Sequence, residues 1–247
     1  MKAIVLAAGY ATRLYPLTKD RPKPLLEVAG KTILDYITGK MDSVKEIDEI
    51  IIVTNDKFAG HFEEWSNEAD YSKKLTIVND GTMTNETRLG AIGDIQYVIE
   101  QLDIQDDLMV LAGDNLFEFE LTDFVSFYDQ VKTSCIATYA EDNIEQLKRN
   151  GIAEIDENQK VIGFEEKPAE PKSKYCVPTL YILQESTLPL ITQYLDEGNN
   201  PDAPGQLIPY FVQHSKVHAY LFEGKRYDIG TVESYERVQQ IFTDKTE

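Results

Sequence analysis

Across residues 1–140, short apolar runs rich in β-branched residues alternate with amphipathic stretches of helical period, and few architectures accommodate that order. Residues 2–7, 49–54, 75–78, 108–112 and 135–139 read as strands. Residues 32–44, 57–68, 88–102 and 121–131 read as the helices between them, the last opening after the acidic pair at Glu118 and Glu120. Each helix has to cross back over a sheet face, so the pattern predicts an α/β fold whose sheet is mostly parallel and covered on both faces. Beyond residue 150 the signal changes to hairpin-like strands at 153–156 and 161–165, then a strand at 177–183, a helix near 185–195, a strand at 216–222 and a closing helix near 232–242. A smaller β-rich lobe sharing the first lobe's core is expected. Residues 198–205 read as a surface loop.

The 247 residues suit one large domain better than two ordinary ones. With 43 acidic against 24 basic residues the net charge is −19, which opposes a nucleic-acid or anionic-membrane partner. A small phosphorylated ligand remains compatible, because a few cations and backbone N–H groups can make a local anion site. The apolar run at the N-terminus is too short to span a membrane. Cys135 falls in a predicted strand and Cys176 at the edge of one, and both read as core thiols, which points to a reducing, cytoplasmic setting. His61, His214 and His218 are scattered and read as surface or structural residues.

The first strand runs into Leu6, Ala7, Ala8, Gly9, Tyr10, Ala11 and Thr12, where the small residues let backbone N–H groups approach an anion, followed by Arg13. Lys23, between Pro22 and Pro24, supplies a second cation held out of helical geometry. The loop matches neither the dinucleotide nor the Walker pattern, so on its own it is an ordinary strand–helix turn. Asp114 follows Gly113 at the end of a central strand, and Asp228 lies in Arg226-Tyr227-Asp228-Ile229-Gly230-Thr231. Taken singly, the first reads as a turn residue and the second as a helix cap.

Taken together, the loop through Thr18, the Lys23-Pro24 pair, the glycine before Asp114 and the Asp228-Ile229-Gly230-Thr231 run resemble the sugar-1-phosphate nucleotidylyltransferases, in particular the glucose-1-phosphate thymidylyltransferase-like group. The resemblance implies a Rossmann-like mixed, mostly parallel central sheet, with residues 1–140 mainly binding nucleotide and 141–247 mainly binding sugar. It implies that Leu6 to Thr12 wrap the triphosphate, Arg13 braces its outer phosphates, Lys23 steadies the α phosphate, and Asp114 and Asp228 hold Mg²⁺. The loop in this group is commonly richer in glycine; Ala8 and Ala11 stand at two such positions. Glu166 and Lys167 fall on the sugar hydroxyls and sugar phosphate, with Gly151, Asn115 and Val177 beside them. Asn79, Arg88, Leu89 and Gly90 fall in the base-reading segment, although they depart from the Gln and Gly-Leu-Ala-Gln pattern of thymidylyltransferases.

The partners so implied are a nucleoside triphosphate and a sugar 1-phosphate, and a homo-oligomer is compatible with the sequence. The ending at Glu247 leads to the expectation that no C-terminal β-helix or acyltransferase module is attached. Three other readings stand beside this one, the most general being a nucleotide-binding or redox α/β protein, against which the absence of the dinucleotide pattern counts. A phosphocholine-type cytidylyltransferase would want a cage for a quaternary ammonium where Lys167 places a cation. A non-catalytic regulatory homologue would be expected to have lost Arg13, Lys23 or an aspartate, and all are present.

Overall fold

A computed structural model describes residues 1–246. Its strands are β1 Lys2–Leu6, β2 Glu27–Val28, β3 Lys31–Thr32, β4 Glu49–Thr54, β5 Lys74–Asn79, β6 Leu108–Ala112, β7 Asn115–Phe117, β8 Ser134–Ala140, β9 Gly151–Ile155, β10 Val161–Glu166, β11 Tyr175–Val177, β12 Leu180–Leu183, β13 Val217–Leu221 and β14 Arg226–Asp228. The helices are α1 Ile33–Asp42, α2 Ala59–Glu68, α3 Ala91–Gln101, α4 Leu121–Val131, α5 Ile144–Leu147, α6 Pro189–Asp196, α7 Leu207–His214 and α8 Val232–Thr246. Among the described residues no helix is long and apolar enough to cross a membrane.

One sheet runs in the order β10-β9-β11-β8-β12-β6-β1-β4-β5, with β13 beside β8. The half that carries the glycine loop is parallel: β1 pairs with β4 and β6, and β4 with β5. β12 then enters antiparallel between β6 and β8, and β11, β9 and β10 continue antiparallel to the far edge. The fold is therefore the mixed α/β sheet that the alternation of runs predicts. Because successive side chains leave a strand on opposite faces, Ile50 and Ile52 join one core and Ile51 and Val53 the other. The first core packs Ile33, Leu34, Ile37 and Met41 of α1 and Phe124 and Val125 of α4. The second packs Ile92, Ile95 and Val98 of α3 with Leu207, Ile208 and Phe211 of α7. This two-sided burial is why β4 is apolar along most of its length rather than alternating.

The local sequence explains where several elements begin. Thr32 caps α1 in a box with Asp35: its hydroxyl accepts from the Asp35 N–H at 3.0 Å, and the Asp35 carboxylate accepts from the Thr32 N–H at 3.0 Å. α3 begins at Ala91, not at 88, because Gly90 takes φ 83 and ψ 157, a region open in practice to glycine alone. The strand expected over 177–183 is split at Pro178 into β11 and β12. The β7–β14 ribbon and α7 lie outside the elements that the sequence pattern predicts; the ribbon strands are three residues each, and Pro209 interrupts the α7 run. Both cysteines are buried free thiols, and burial pushes Cys135 up to about 12 and Cys176 up to about 11, as inert core groups.

Residues 198–205 form a surface loop, with 198–200 and 202 exposed, but one that is packed against the start of α3. Pro201 accepts a hydrogen bond from the Ile92 N–H at 2.8 Å, and a Cβ on Gly90 would lie 2.7 Å from the Pro201 carbonyl oxygen. Backbone strain and a backbone clash thus coincide at Gly90. Gly90→Ala is expected to cost about 3 kcal/mol and to lower Tm by roughly 6–12 °C in thermal unfolding. A shift below about 2 °C would show that this junction gives way easily.

Candidate active site

The glycine loop is built at the carboxyl end of β1, where neighbouring strands hold it. Ala7 donates to the Val53 carbonyl at 2.9 Å, and Gly113 donates to the Leu6 carbonyl at 2.9 Å. Asn55, fully buried after β4, donates from its amide to the Ala8 carbonyl at 2.8 Å and accepts from the Phe58 N–H at 3.1 Å. The Tyr10 hydroxyl reaches the Thr82 carbonyl at 3.2 Å and the Thr18 hydroxyl the Ala11 carbonyl at 2.8 Å. The carbonyls of this loop are therefore tied down on several sides. A Cβ added at Gly9 would meet nothing within 4 Å, so the space over the loop is open. Ala11 takes the left-handed conformation, φ 46 and ψ 42, which glycine would adopt at no steric cost and alanine adopts at about 1–2 kcal/mol. The turn is made despite the alanine.

The two cations differ in their surroundings. Arg13 is exposed and, among the described residues, makes no ion pair, which leaves its guanidinium able to receive an anion. Lys23 is 7% exposed, opens a 3₁₀ turn at Lys23–Leu25, and places its ammonium 2.7 Å from Asp114 Oδ2. Gly113 is what brings these together: a Cβ there would meet the Leu6 carbonyl oxygen at 3.0 Å and Pro24 Cγ at 3.1 Å. Burial pushes the Asp114 carboxyl upward, but the Lys23 ammonium and the Arg226 guanidinium outweigh it and hold it below the usual carboxylate range.

Asp228 reaches the same place by a different route. β14 pairs antiparallel with β7, and Asp228 stands directly opposite Asn115, one residue after Asp114. Two carboxylates that the sequence separates by more than a hundred residues thereby flank one ribbon end. Both remain open to solvent, with side chains 37% and 58% exposed. Hard carboxylate oxygens, few in number and with room for water and phosphate, fit Mg²⁺, and no cluster of three or more ligand-type side chains exists among the described residues.

Arg226 was not singled out in the sequence, although its place two residues before Asp228 was visible. It donates to Asn115 Oδ1 from Nε at 2.9 Å and from Nη2 at 2.6 Å, and it lies 3.8 Å from Asp228 Oδ1. The side-chain oxygen of Asn115, expected to meet a sugar hydroxyl, is thus already engaged, and its amide nitrogen is the group left for a ligand.

The sugar-side residues sit on β9, β10 and β11. Glu166 pairs with Gly151 across β9 and β10, and Val177 pairs with Gly151 on the other side. A Cβ on Gly151 would lie 2.5 Å from Phe164 Cζ and 3.0 Å from Glu166 Oε2, so the missing side chain is what lets this carboxylate fold over the strand. Burial raises the Glu166 carboxyl, and Lys167, 3.7 Å away, draws it partly back. The link to the metal-side residues is the turn after Val177, where Thr179 accepts from the Ala112 N–H at 3.1 Å.

The base-side residues are less unified. Asn79 is tied through its side chain to Asp56 at 2.6 Å and to the Gly81 N–H at 2.9 Å. Arg88 gives its guanidinium to Asp202 and to the Asn85 carbonyl, facing residues 198–205 instead of the glycine loop. Behind this segment lie two buried acids, Asp80 and Asp94, each with one side-chain oxygen that has no hydrogen-bond partner among the described residues. Burial first, and the neighbouring Asp80 second, push Asp94 up to about 8.

The chain is similar to known proteins over nearly its whole length. A family model described as nucleotidyl transferase matches residues 2–245. A protein of Sulfolobus acidocaldarius, provisionally named a mannose-1-phosphate guanyltransferase, is 28% identical over 242 residues, covering 96% of this chain and 62% of its own length. The glucose-1-phosphate adenylyltransferase of Fervidobacterium nodosum is 28% identical over 248 residues, covering 94% of this chain and 59% of its own. The chain thus spans about three-fifths of the length of these two relatives. Among solved structures, one from Bacillus anthracis, provisionally named a glucose-1-phosphate thymidylyltransferase and bound to sucrose, is 25% identical with a TM-score of 0.82. It covers 99% of this chain and 96% of its own.

Proposed function

Since the chain belongs to the nucleotidyl transferase family, we propose that it transfers a nucleotidyl group from a nucleoside triphosphate to a sugar 1-phosphate, releasing pyrophosphate. The observation that carries this reading is the buried Lys23 ammonium on Asp114, beside the glycine loop and across the ribbon from Asp228. We assign dTTP and glucose 1-phosphate as the substrate pair. The related proteins carry names with guanylyl, adenylyl and thymidylyl donors, so the base is the part of the assignment that rests most on the opening motif.

In the proposed reaction an oxygen of the sugar phosphate attacks the α phosphorus in line, a new P–O bond forms, and the bond to the β phosphate's bridging oxygen breaks to release pyrophosphate. The attacking phosphate is already ionised near neutral pH, so no protein nucleophile is needed. The chain's work is to position and to neutralise. Arg13 would brace the leaving phosphates, Lys23 the transferring one, Glu166 would accept from sugar hydroxyls and Lys167 would meet the sugar's phosphate. Asp114 and Asp228 would hold Mg²⁺, whose chemistry there is to neutralise charge on the phosphates. Two buried thiols suit a cytoplasmic setting, where they stay reduced.

Pyrophosphate release with Mg²⁺ tests the reading, with dTTP, UTP, CTP, GTP and ATP each paired with glucose 1-phosphate, mannose 1-phosphate and phosphocholine. Turnover with dTTP and glucose 1-phosphate is expected to exceed that of the other pairs. Turnover with phosphocholine alone, or none in a folded protein that binds nucleotide, would overturn it.

A further inference from the structure

Residues 200–206 touch two parts of the site that lie far apart in the chain. At one end, Asp202 takes a two-pronged hydrogen bond from Arg88, 3.1 Å from Nε and 2.9 Å from Nη2, and the Pro201 carbonyl holds the Ile92 N–H at the start of α3. At the other end, Gly205 is buried against the sugar-side carboxylate. A Cβ there would fall 2.2 Å from Glu166 Oε2 and 3.2 Å from Phe164 Cζ. Between these ends the backbone is stiffened. Asp202 donates its N–H to Asn200 Oδ1 at 2.8 Å, Gln206 donates to the Ala203 carbonyl at 2.9 Å, and Tyr194 donates its hydroxyl to the Asn200 carbonyl at 2.9 Å. Pro201 and Pro204 remove further freedom. A short, braced segment clamped at both ends passes on displacement more than it absorbs it.

We propose that residues 200–206 form a positioning strap: the placement of the base-side segment around Arg88 and Gly90 sets, through Asp202 and Gly205, where the Glu166 carboxylate stands for the sugar. The substrate held by Glu166 rests on the sugar 1-phosphate reading above, whereas the mechanical link between the two ends does not.

Two measurements on the full chain test the strap. The first is amide hydrogen exchange without ligand, comparing wild type with Asp202→Asn, an exposed change that removes the charge and one of the two acceptor oxygens of the clamp. Loss of this charge-assisted contact is expected to speed exchange about fivefold at Ile92 and also at Lys167, whose N–H is held by the Asn150 carbonyl near Glu166. Acceleration confined to residues 88–92 and 200–203 would overturn the strap. The second is steady-state kinetics. Asp202→Asn and Gly205→Ala are each expected to raise the KM for the sugar phosphate about fivefold, with kcat within about twofold. Because both act through one element, the double variant should rise no further than either single change. Independent, multiplying effects would also overturn the strap. If wild type turns over no sugar phosphate, the functional reading falls and the exchange result alone decides the strap.

Discussion

Asp114→Ala is expected to lower Mg²⁺-dependent pyrophosphate release by at least about a thousandfold, since it removes a metal carboxylate and the partner that holds Lys23 in place. The same change should destabilise the fold. Lys23 is 7% exposed, and without Asp114 its ammonium stays buried with no other ion-pair partner among the described residues. Breaking a fully buried pair costs about 3–5 kcal/mol; because Asp114 itself reaches solvent, about 2 kcal/mol is expected here. Adding Lys23→Met to Asp114→Ala separates the two effects: stability in urea should recover most of the loss, and turnover should not return. Turnover of Asp114→Ala within about tenfold of wild type would remove Asp114 from the metal site.

Asp94→Asn should make the protein more stable, increasingly so as pH rises. Asp94 is 5% exposed in the first turn of α3, close to Asp80, and burial first and Asp80 second push its carboxyl up to about 8 from its ordinary 3.8. The folded chain therefore binds a proton between about pH 4 and 8 that the unfolded chain has released, and over that window stability falls as pH rises. The slope from this group is about 1.4 kcal/mol per pH unit. The contribution is fully present below the unfolded pKa and is lost once pH passes the folded one. The N-terminus of α3 offsets part of the cost of the charge, by up to about 2 kcal/mol. Asparagine can donate to Asp80 as the protonated acid does, and it carries no charge at any pH. The gain in Tm is expected to be near zero at pH 4, to grow to roughly 10 °C by pH 8 and then to level off. Parallel Tm curves for the two proteins across that range would show that Asp94 is not the buried proton.

What the sequence by itself determined is local. The period of apolar residues marks β1, β4 and β6, because a strand buried on both faces has to be apolar along its length, and α4 is bounded as the sequence reads it. The loop from Leu6 to Arg13, Lys23, Asp114, Asp228, Gly151 and Glu166 could be singled out only together, through the resemblance of their short runs to a known family; taken singly they read as turns, a cap and exposed charges. Their assembly is another matter. Lys23 meets Asp114 across 91 residues, Arg226 meets Asn115 across 111, and Arg88 meets Asp202 across 114. No local period encodes such contacts; they exist because β14 pairs with β7 and because residues 200–206 lie over α3. Gly205 reads as a loop residue until the backbone brings it against Glu166. Asp80 and Asp94 read as two more acids among 43 until burial removes their water. Local pattern chose the elements and named the chemistry, while closure of the sheet and the packing of α3 decided which side chains meet and what charge each can carry.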